Sequence, residues 1–486
     1  MHRKIIDIQQ KAQAKIEEEK QKFQKKAGAK GEGRENLRGL RLTDWGNAER
    51  LVALHGQDLR YCYPWSRWLV WDGRRWATDE VGAVEQRAKD VVRSIYQEAA
   101  VAGDKKQREA LAHHALASES EVKRKALVAS ARNEPGIPVL PEHLDQAPWL
   151  FNVLNGTLDL QSGDLIPHRR ADLITKLAPV EYDPQAQCPA WWAFLEKIMN
   201  GDGAMMEFLQ KAAGYALTGD TREQCLFFLY GLGANGKTTF LETLQALWGD
   251  YAKRTSTETF LVKKGNSIPN DVAALRGARL VAAVEVESGR RLAEVLLKEM
   301  TGGDTMTARF LRAEFFEFKP EFKIFLAANH KPVIRGTDNG IWRRIHLIPF
   351  TVQIPKDQQD KELPAKLRAE LPGILNWAVE GCLQWQHEGL TPPPEVRMAT
   401  NTYREEMDPL CGFIGECCVL TPGAEAMAKD LYKAYTAWAE ESGEKQPMSQ
   451  KEFGGRLKER GLTNSQETRG QNKGKSKWSG IGLRNE

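Results

Sequence analysis

The sequence predicts an α/β fold built around a parallel β-sheet with helices packed on it. Three observations lead to this prediction. Four short apolar segments alternate with helix-like segments between residues 225 and 350, as is typical of parallel sheets. A glycine-rich segment joins the first apolar segment to a helix, while acidic residues end the second and an amide follows the third. The four apolar segments are residues 225–230, 280–286, 323–328 and 345–349.

Length and composition are those of a globular protein of several domains. The chain has 486 residues, enough for roughly three or four domains, and 28% of the residues are charged. The net charge of +4 is too small to indicate a nucleic-acid partner by itself. The chain opens with charged residues, and no segment has the ~20 apolar residues of a membrane helix. We therefore expect a cytoplasmic protein that does not enter a membrane.

Shifts in composition divide the chain into segments around the central sheet. Residues 1–38 carry 11 Lys or Arg and 6 Asp or Glu, which favours a solvated, basic arm. At the other end, residues 469–484 contain basic but no acidic residues, and either phosphate contacts or simple solvation would explain them. The predicted segments are a flexible basic arm (1–40), a mainly helical domain (41–190), the central domain (191–355), a helical extension and linker (356–410) and a small helical domain with a basic tail (411–486).

Four tryptophans lie close together in the predicted N-terminal domain. The sequence around them predicts two strands joined by an Asp-Gly turn at residues 72–73. Such a cluster most often packs in a core, and a base-stacking platform is the alternative. The tryptophans are Trp65, Trp68, Trp71 and Trp76.

The glycine-rich segment has the pattern of a phosphate-binding loop, or P-loop. Its glycines allow backbone amides to turn towards phosphate oxygens, its lysine can reach the β- and γ-phosphates, and its hydroxyl can bind Mg²⁺. The positive end of the following helix dipole adds to such a site. We therefore predict that ATP and Mg²⁺ bind here. The candidate residues are Gly231, Gly233, Ala234, Asn235, Gly236, Lys237, Thr238 and Thr239.

Acidic and amide side chains at the ends of two further strands complete the candidate catalytic site. Glu285 and Glu287 share one face of their strand because side chains alternate along a strand. We assign them jointly to Mg²⁺ and the attacking water, with Thr238 and Glu285 as the candidate metal ligands. Asn329 could contact the γ-phosphate or form a turn, and the sequence leaves both roles open.

Two basic motifs lie in the same region of the sequence. Arg343 and Arg344 precede the fourth strand and are candidates for reaching the nucleotide of a neighbouring subunit. Residues 307–318 predict a hairpin whose basic and apolar residues suit DNA phosphate binding and strand separation, although an ordinary surface hairpin would look similar. The candidate DNA-binding residues are Arg309, Phe310, Arg312 and Lys319.

Taken in order, these motifs resemble those of a known family. They are GANGKTT, AVEVE, TGGDTMTARF, FLAAN and GIWRRIHLIPF, and they are similar to those of superfamily 3 helicases. More narrowly, they resemble the satellite-phage and plasmid primase–helicases, which are related to the poxvirus helicase–primase. The resemblance extends over about residues 41–486. It implies an AAA+-like P-loop motor domain, preceded by a mainly helical domain and followed by a winged-helix, DNA-binding domain.

The resemblance also implies an activity and a role for individual residues. A helicase of this kind unwinds phage, plasmid or mobile-element DNA, works as a ring, usually a hexamer, and engages single-stranded and forked DNA in a bacterial cytoplasm. Lys237 and Thr238 match the nucleotide lysine and metal hydroxyl, Asn329 matches the sensor asparagine, and Arg343 or Arg344 matches the finger that acts across subunits. Glu285 and Glu287 match the acidic pair, although adjacent acids are common in the family. Here Val286 separates the two acids, so the resemblance leaves open which of them binds Mg²⁺ and which activates water.

Other functions remain open at this point. The chain could be an initiator that uses ATP only to assemble on origin DNA, an inactive scaffold, or a defence or packaging ATPase. No paired-carboxylate primase site or zinc ribbon is visible, so we expect no primer synthesis by this chain. A primase or polymerase could be a separate protein partner, or it could belong to a part of the protein that this sequence does not include.

Overall fold

The computed structural model describes most of the chain and divides it into two compact units. It describes residue 37 and residues 39–263, 270–284, 289–311, 314–336, 339–408, 410–442, 447–467 and 474–484. The N-terminal unit extends to residue 159 and includes residues 164–181, whereas the C-terminal unit comprises residues 160–163 and 182–486. The predicted arm, residues 1–40, lies almost entirely outside the described residues. Within the described residues, every helix is too short or too polar to cross a membrane.

The N-terminal unit combines helices with two small sheets. Thr43 begins the first helix, since its hydroxyl accepts a hydrogen bond from the Gly46 amide at 3.1 Å. The helices are α1 (Asp44–His55), α2 (Ala83–Val101), α3 (Lys105–Ser118) and α4 (Glu121–Ala131). One sheet has the order β3–β2–β1–β4 and the other β5–β6–β7. These strands are β1 (Leu59–Cys62), β2 (Arg67–Trp71), β3 (Trp76–Thr78), β4 (Pro138–Val139), β5 (Leu150–Val153), β6 (Gly156–Asp159) and β7 (Asp164–Ile166).

The tryptophan cluster lies in the first of these sheets. β2 and β3 pair as an antiparallel hairpin, and Gly73 in their turn has a φ of 101°, so the predicted Asp-Gly turn is confirmed. Trp71 and Trp76 are buried, with ring centroids 5.8 Å apart, and Trp68 is half-buried. Core packing therefore accounts for Trp71 and Trp76, whereas Trp65 is exposed.

The core of the C-terminal unit is a five-stranded parallel sheet. Its order is β14–β8–β13–β10–β9, so β8, the first of these strands in the sequence, is an inner strand of the sheet. The strands are β8 (Leu226–Tyr230), β9 (Ala252–Ser256), β10 (Leu280–Val284), β13 (Lys323–Ala328) and β14 (Ile345–Pro349). Four of them confirm the predicted apolar strands. The fifth, β9, was not predicted because it is a polar strand at the sheet edge and lacks an apolar run.

Helices connect the strands of this sheet along the chain, and a hairpin lies between β10 and β13 in sequence. The hairpin consists of β11 (Met306–Ala308) and β12 (Phe316–Phe318), which pair antiparallel. The helices are α5 (Pro189–Ile198), α6 (Gly203–Leu217), α7 (Lys237–Trp248), α8 (Asn270–Ala273), α9 (Glu294–Gly302), α10 (Asn339–Trp342), α11 (Leu363–Ala369), α12 (Leu371–Glu388) and α13 (Pro394–Met407).

The last part of the chain has its own core of helices and short strands. Its helices are α14 (Cys411–Cys417), α15 (Ala428–Glu441) and α16 (Gln450–Glu459). Its strands form the sheets β16–β18–β17 and β15–β19. The strands are β15 (Cys418–Val419), β16 (Glu425–Met427), β17 (Thr463–Gln466), β18 (Ser476–Ser479) and β19 (Gly482–Leu483).

The predicted basic tail is not a tail where the structure describes it. Trp478 and Ile481 are buried in the core of this region, so residues 474–484 must form strands rather than extend into solvent. Lys477, for which the sequence left phosphate contact and solvation open, pairs with Glu425 at 2.8 Å and with Glu467 at 3.0 Å. Arg484 donates to the Cys418 carbonyl, whereas Arg469 and Lys473 lie outside the described residues.

Candidate active site

The glycine-rich loop lies at the carboxyl edge of the parallel sheet. It connects β8, an inner strand, to the amino end of α7. Ligands of open α/β sheets bind outside the carboxyl ends of the strands, and the first amides of a helix have no partners within that helix. The position of the loop therefore suits an anionic ligand.

Close packing fixes the shape of this loop. Gly236 has a φ of 85°, and a Cβ there would collide with Ile198. A Cβ at Gly231 would collide with the Phe350 carbonyl oxygen. The buried Asn235 amide donates to that same carbonyl at 3.2 Å, and the Ala234 carbonyl accepts from the Ile354 amide at 2.8 Å. The segment after β14 thus holds the loop in place.

Lys237 is the central basic group of the loop. Its side chain is buried, and its Nζ donates to the Gly231 carbonyl at 2.5 Å, to Asn235 Oδ1 at 2.9 Å and to Asn329 Oδ1 at 3.2 Å. Burial lowers its pKa to about 8. An incoming anion would favour the charged form, because an opposite charge raises the pKa of a lysine.

Asn329 reaches the loop because β13 is the parallel neighbour of β8. The register pairs Ala328 with Tyr230, so Asn329 and Gly231 follow the two strands side by side. The Asn329 side chain also lies 3.5 Å from the Gly233 amide, which is a weak contact. The structure therefore brings together Asn329 and Lys237, two of the residues predicted for the site.

The predicted metal ligands are described only in part. Thr238, in the first turn of α7, is exposed, and Thr239 beside it is half-buried. Glu285 and Glu287 lie outside the described residues, which end at Val284 of β10 on this side. Among the described residues, no group of three or more His, Cys, Asp or Glu could hold a metal ion.

Arg343 and Arg344 lie at the opposite edge of the sheet from Lys237. They precede β14, whose register pairs Ile345 with the first residue of β8 and Pro349 with the last. Five residues of strand span about 16 Å, so neither arginine belongs to the loop of its own chain. Arg344 is buried and donates to Thr301 Oγ1 at 3.0 Å, whereas Arg343 is exposed and donates to Gln224 Oε1 at 2.9 Å.

The β11–β12 hairpin confirms the hairpin predicted for residues 307–318 and presents aromatic rings. Phe310 is exposed and stacks on Phe316, with centroids 5.6 Å apart. The Arg309 guanidinium lies 4.6 Å from the centroid of Phe315, an exposed ring that is not among the DNA-binding residues predicted from the sequence. Lys319 after β12 is exposed, and Arg312 lies outside the described residues.

The fold and loop together define an α/β protein with a strand–glycine loop–helix unit inside a five-stranded parallel sheet. Three segments of the chain match family models. Residues 48–200 match the model described as D5 N terminal like, and residues 405–476 match the one described as Poxvirus D5 protein-like. Residues 229–344, which contain the loop, match a family of unknown function.

Several viral proteins are similar to this chain. "Putative helicase L207/L206" of Acanthamoeba polyphaga mimivirus is 29% identical over 62% of this chain and 34% of its own length. "Putative helicase 022R" of Frog virus 3 (isolate Goorha) is 28% identical over 51% of this chain and 27% of its own length. "Putative primase C962R" of African swine fever virus (isolate Tick/Malawi/Lil 20-1/1983) is 25% identical over 61% of this chain and 33% of its own length. The chain thus spans about a third of the length of these relatives.

A solved structure, the apo form of the NrS-1 C-terminal region, is also similar. It is 9% identical over 71% of each chain, with a TM-score of 0.43. The family matches and the named viral relatives confirm the resemblance to the primase–helicase family related to the poxvirus D5 protein.

Proposed function

We propose that this chain is an ATP-dependent DNA helicase that acts as a ring in the replication of a phage, plasmid or other mobile element. One observation carries the proposal. Lys237 Nζ lies 2.5 Å from the Gly231 carbonyl and 3.2 Å from Asn329 Oδ1, at the carboxyl edge of a parallel sheet. The similar viral proteins are named putative helicases, which supports DNA as the polymer along which this chain would move.

In this proposal the loop would hold the triphosphate of ATP. A Cβ at Gly233 would meet only open space, so the outer side of the loop is accessible to a ligand. The amides of the loop and of the first turn of α7 would hold phosphate oxygens, and Lys237 would neutralise their charge. Asn329 would sense the γ-phosphate through the contact that it already makes with Lys237.

Mg²⁺ would be held by the Thr238 hydroxyl together with Glu285. Thr238 is exposed beside Lys237, and hydroxyl and carboxylate oxygens are the ligands that this ion prefers. When bound, Mg²⁺ neutralises charge on the β- and γ-phosphate oxygens. Glu287 would share with Glu285 the task of holding the attacking water.

In this proposal, Arg343 is the arginine finger, the arginine that one subunit supplies to the nucleotide bound by its neighbour. It is exposed and lies at the sheet edge away from its own Lys237, whereas Arg344 is buried. An arginine supplied by a neighbour can stabilise the charge of the transition state. This geometry fits a ring in which each nucleotide lies between two copies, and the family resemblance favours a hexamer.

The remaining parts of the chain would guide DNA. We assign residues 191–355 to an AAA+-like P-loop motor, residues 356–410 to a helical extension and residues 411–486 to a winged-helix domain. The strand order of the sheet and the helices and antiparallel sheet at the C-terminus support these assignments. The β11–β12 hairpin would contact single-stranded DNA, because it exposes aromatic rings beside Arg309.

The substitution Lys237→Ala tests the proposal. We expect DNA-stimulated ATP hydrolysis to fall by at least about 100-fold, because the charge on the transferred phosphate loses its partner. Lys361→Ala, at an exposed lysine outside the site, is the matched control and should keep the wild-type rate. Normal hydrolysis by Lys237→Ala would refute the proposal. Hydrolysis by the wild-type chain without strand displacement on a forked substrate would instead support an origin-binding initiator.

A further inference from the structure

Exposed aromatic side chains gather at one place on the N-terminal unit. Trp45 is 54% exposed, Tyr63 45% and Trp65 37%. They are the strongly exposed aromatic residues within the described part of this unit. Trp45 lies in the first turn of α1, and the other two lie in the turn between β1 and β2. We call these residues, together with Arg41, Arg67 and Arg132, the aromatic surface.

The end of α4 joins the two aromatic segments. The Tyr63 hydroxyl donates to Asn133 Oδ1, and the Trp45 indole N–H donates to Glu134 Oε1 at 3.0 Å. Adjacent residues of the chain therefore hold Tyr63 and Trp45. Arg132, just before them, lies 4.8 Å from the centroid of Tyr61, whose ring packs edge-on against Tyr63 at 4.8 Å.

The backbone of Arg41 is anchored beside the aromatic surface by a buried arginine. The Arg41 guanidinium carbon lies 5.5 Å from the centroid of Trp45. The Arg41 carbonyl accepts from Arg50 Nη1 at 2.9 Å, and Arg50 is buried and paired with Glu98 at 3.0 Å. A Cβ at Gly46 would collide with the same carbonyl, so the backbone is tightly fitted there. The backbone that carries Arg41 is therefore fixed beside the indole.

The charge of the aromatic surface favours a polyanion. Three guanidinium groups belong to it, and Arg67 among them is exposed at the start of β2, two residues after Trp65. Against these three charges stands the carboxylate of Glu134, which accepts from the uncharged Trp45 indole and keeps its negative charge, whereas that of Asp44 pairs with Lys123 at 2.9 Å. The chain that leads into α1 is also basic, with 11 Lys or Arg against 6 Asp or Glu in residues 1–38.

We propose that the aromatic surface of the N-terminal unit is a second binding site for single-stranded DNA. Unpaired bases would stack on the rings of Trp45, Tyr63 and Trp65, while the three arginines would contact phosphates. Interleaved aromatic and basic groups bind single strands without sequence preference because every base has an aromatic face. Binding here needs no ATP hydrolysis, so the site is independent of the function proposed for Lys237.

The test uses the full chain without nucleotide and measures the anisotropy of a labelled thymidine oligonucleotide. Every protein carries Phe310→Ala and Phe315→Ala, which remove the contribution expected from the hairpin. Adding Trp45→Ala and Tyr63→Ala should weaken binding by about 10-fold or more. Trp45→Phe, which keeps a ring, should remain within about 3-fold. The matched control adds Val81→Ala and Val101→Ala, which remove exposed apolar groups elsewhere on the unit and should change nothing.

A second readout keeps the test decisive if the double variant does not fold. A 4-thiothymidine oligonucleotide is photo-crosslinked to the otherwise unaltered chain, and the modified peptides are identified by mass spectrometry. Crosslinks within residues 41–67 or 132–134 support the proposal. Unchanged affinity of a folded Trp45→Ala/Tyr63→Ala chain, or crosslinks found only elsewhere, would overturn it and favour a protein partner for this surface.

Discussion

Arg343 and Arg344 are neighbours in the chain but have opposite environments. Arg344 is buried, and its guanidinium donates to Thr301 Oγ1 at 3.0 Å and to the Gly340 carbonyl at 2.5 Å. Its own carbonyl accepts from the Leu226 amide at 2.7 Å, at the start of β8. Arg344 thus ties α9 and α10 to the sheet, which leaves Arg343 as the arginine that another molecule can reach.

The substitutions Arg344→Met and Arg343→Met form a matched pair for stability. We expect Arg344→Met to lower the free energy of unfolding by about 2 kcal/mol, because Thr301 and Gly340 lose a charged hydrogen-bond donor in a buried place. Arg343→Met should change it by less than about 0.5 kcal/mol, since its hydrogen bond to Gln224 is exposed. Urea denaturation followed by circular dichroism measures both. Equal losses would contradict the assignment of Arg344 to the fold.

Lys323, at the start of β13, is a buried lysine outside the candidate site. Its Nζ donates to the carbonyls of Thr218, Asp220 and Glu321 and lies 4.6 Å from the centroid of Tyr215. Burial, with a smaller effect of the Arg279 guanidinium, lowers its pKa to about 7 from an ordinary value of 10.5. The unfolded chain therefore binds more protons than the folded chain between these two values.

Stability should consequently depend on pH through Lys323. A lowered lysine pKa means that the free energy of unfolding rises as the pH increases from about 7 towards 10.5. Lys323→Met removes the titrating group, so the rise should be smaller in this variant than in the wild-type chain. Lys361→Met, at an exposed position, serves as the control. Urea midpoints measured from pH 7 to 10 that rise equally in all three proteins would exclude this role for Lys323.

At the scale of elements, the segment between β13 and α10 connects the candidate site to Arg343. Glu294, at the start of α9, accepts from the Arg335 amide at 2.9 Å and from the Gly336 amide at 3.1 Å. The Gly336 carbonyl in turn accepts from the Trp342 indole at 2.8 Å, one residue before Arg343. Hydrogen bonds therefore hold Arg335 and Gly336 against the start of α9 and against Trp342 of α10.

The exposed aromatic rings of the β11–β12 hairpin indicate that this element binds a ligand. Phe310 and Phe315 are both exposed, and the tip is tied to α8 because the Leu311 amide donates to Asn270 Oδ1 at 3.1 Å. Exposed apolar groups beside this contact mark an interaction site rather than a core.

Replacing the two exposed rings should separate DNA handling from ATP hydrolysis. We expect Phe310→Ala/Phe315→Ala to reduce strand displacement on a forked substrate by about 10-fold, because base stacking is lost. Hydrolysis without DNA should stay near the wild-type rate. Thr307→Ala, an exposed change in the same hairpin, should affect neither measurement. Normal strand displacement by the double variant would remove the hairpin from the proposed DNA path.

At the scale of the whole molecule, the position of Arg343 predicts a site shared between copies. Lys237→Ala and Arg343→Ala chains should each be inactive alone. In mixed rings, an Arg343→Ala chain still supplies Lys237, and its neighbour with Lys237→Ala still supplies Arg343. Co-expression of the two should therefore restore hydrolysis to about a quarter of the wild-type rate. Lys237→Ala mixed with a chain that carries both substitutions is the inactive control.

Failure of this complementation would be informative only in assemblies that contain both chains. Two different affinity tags and sequential purification select such assemblies. If they hydrolyse ATP no faster than the control, the site is not completed by Arg343 of a neighbour.

Four strands of the sheet and the hairpin could be predicted because each carries a local signal. The strands are apolar runs, and the hairpin has alternating residues on either side of a turn. β9 carries no such signal, since a polar strand forms at an edge only when β10 pairs with it. The sequence predicted a basic tail at residues 474–484 because Trp478 and Ile481 are isolated apolar residues. Their burial depends on the helices around them.

The sequence by itself determined the glycine loop, the strand before it and the helix after it. Backbone conformation there depends on neighbouring residues, as the left-handed Gly236 demonstrates. Only the tertiary structure decided that Lys237 meets Asn329, 92 residues away, and that Arg343 rather than Arg344 is exposed. It also joined Trp45 to Glu134, 89 residues along the chain. Contacts between distant residues depend on strand order and packing, which no local pattern of residues encodes.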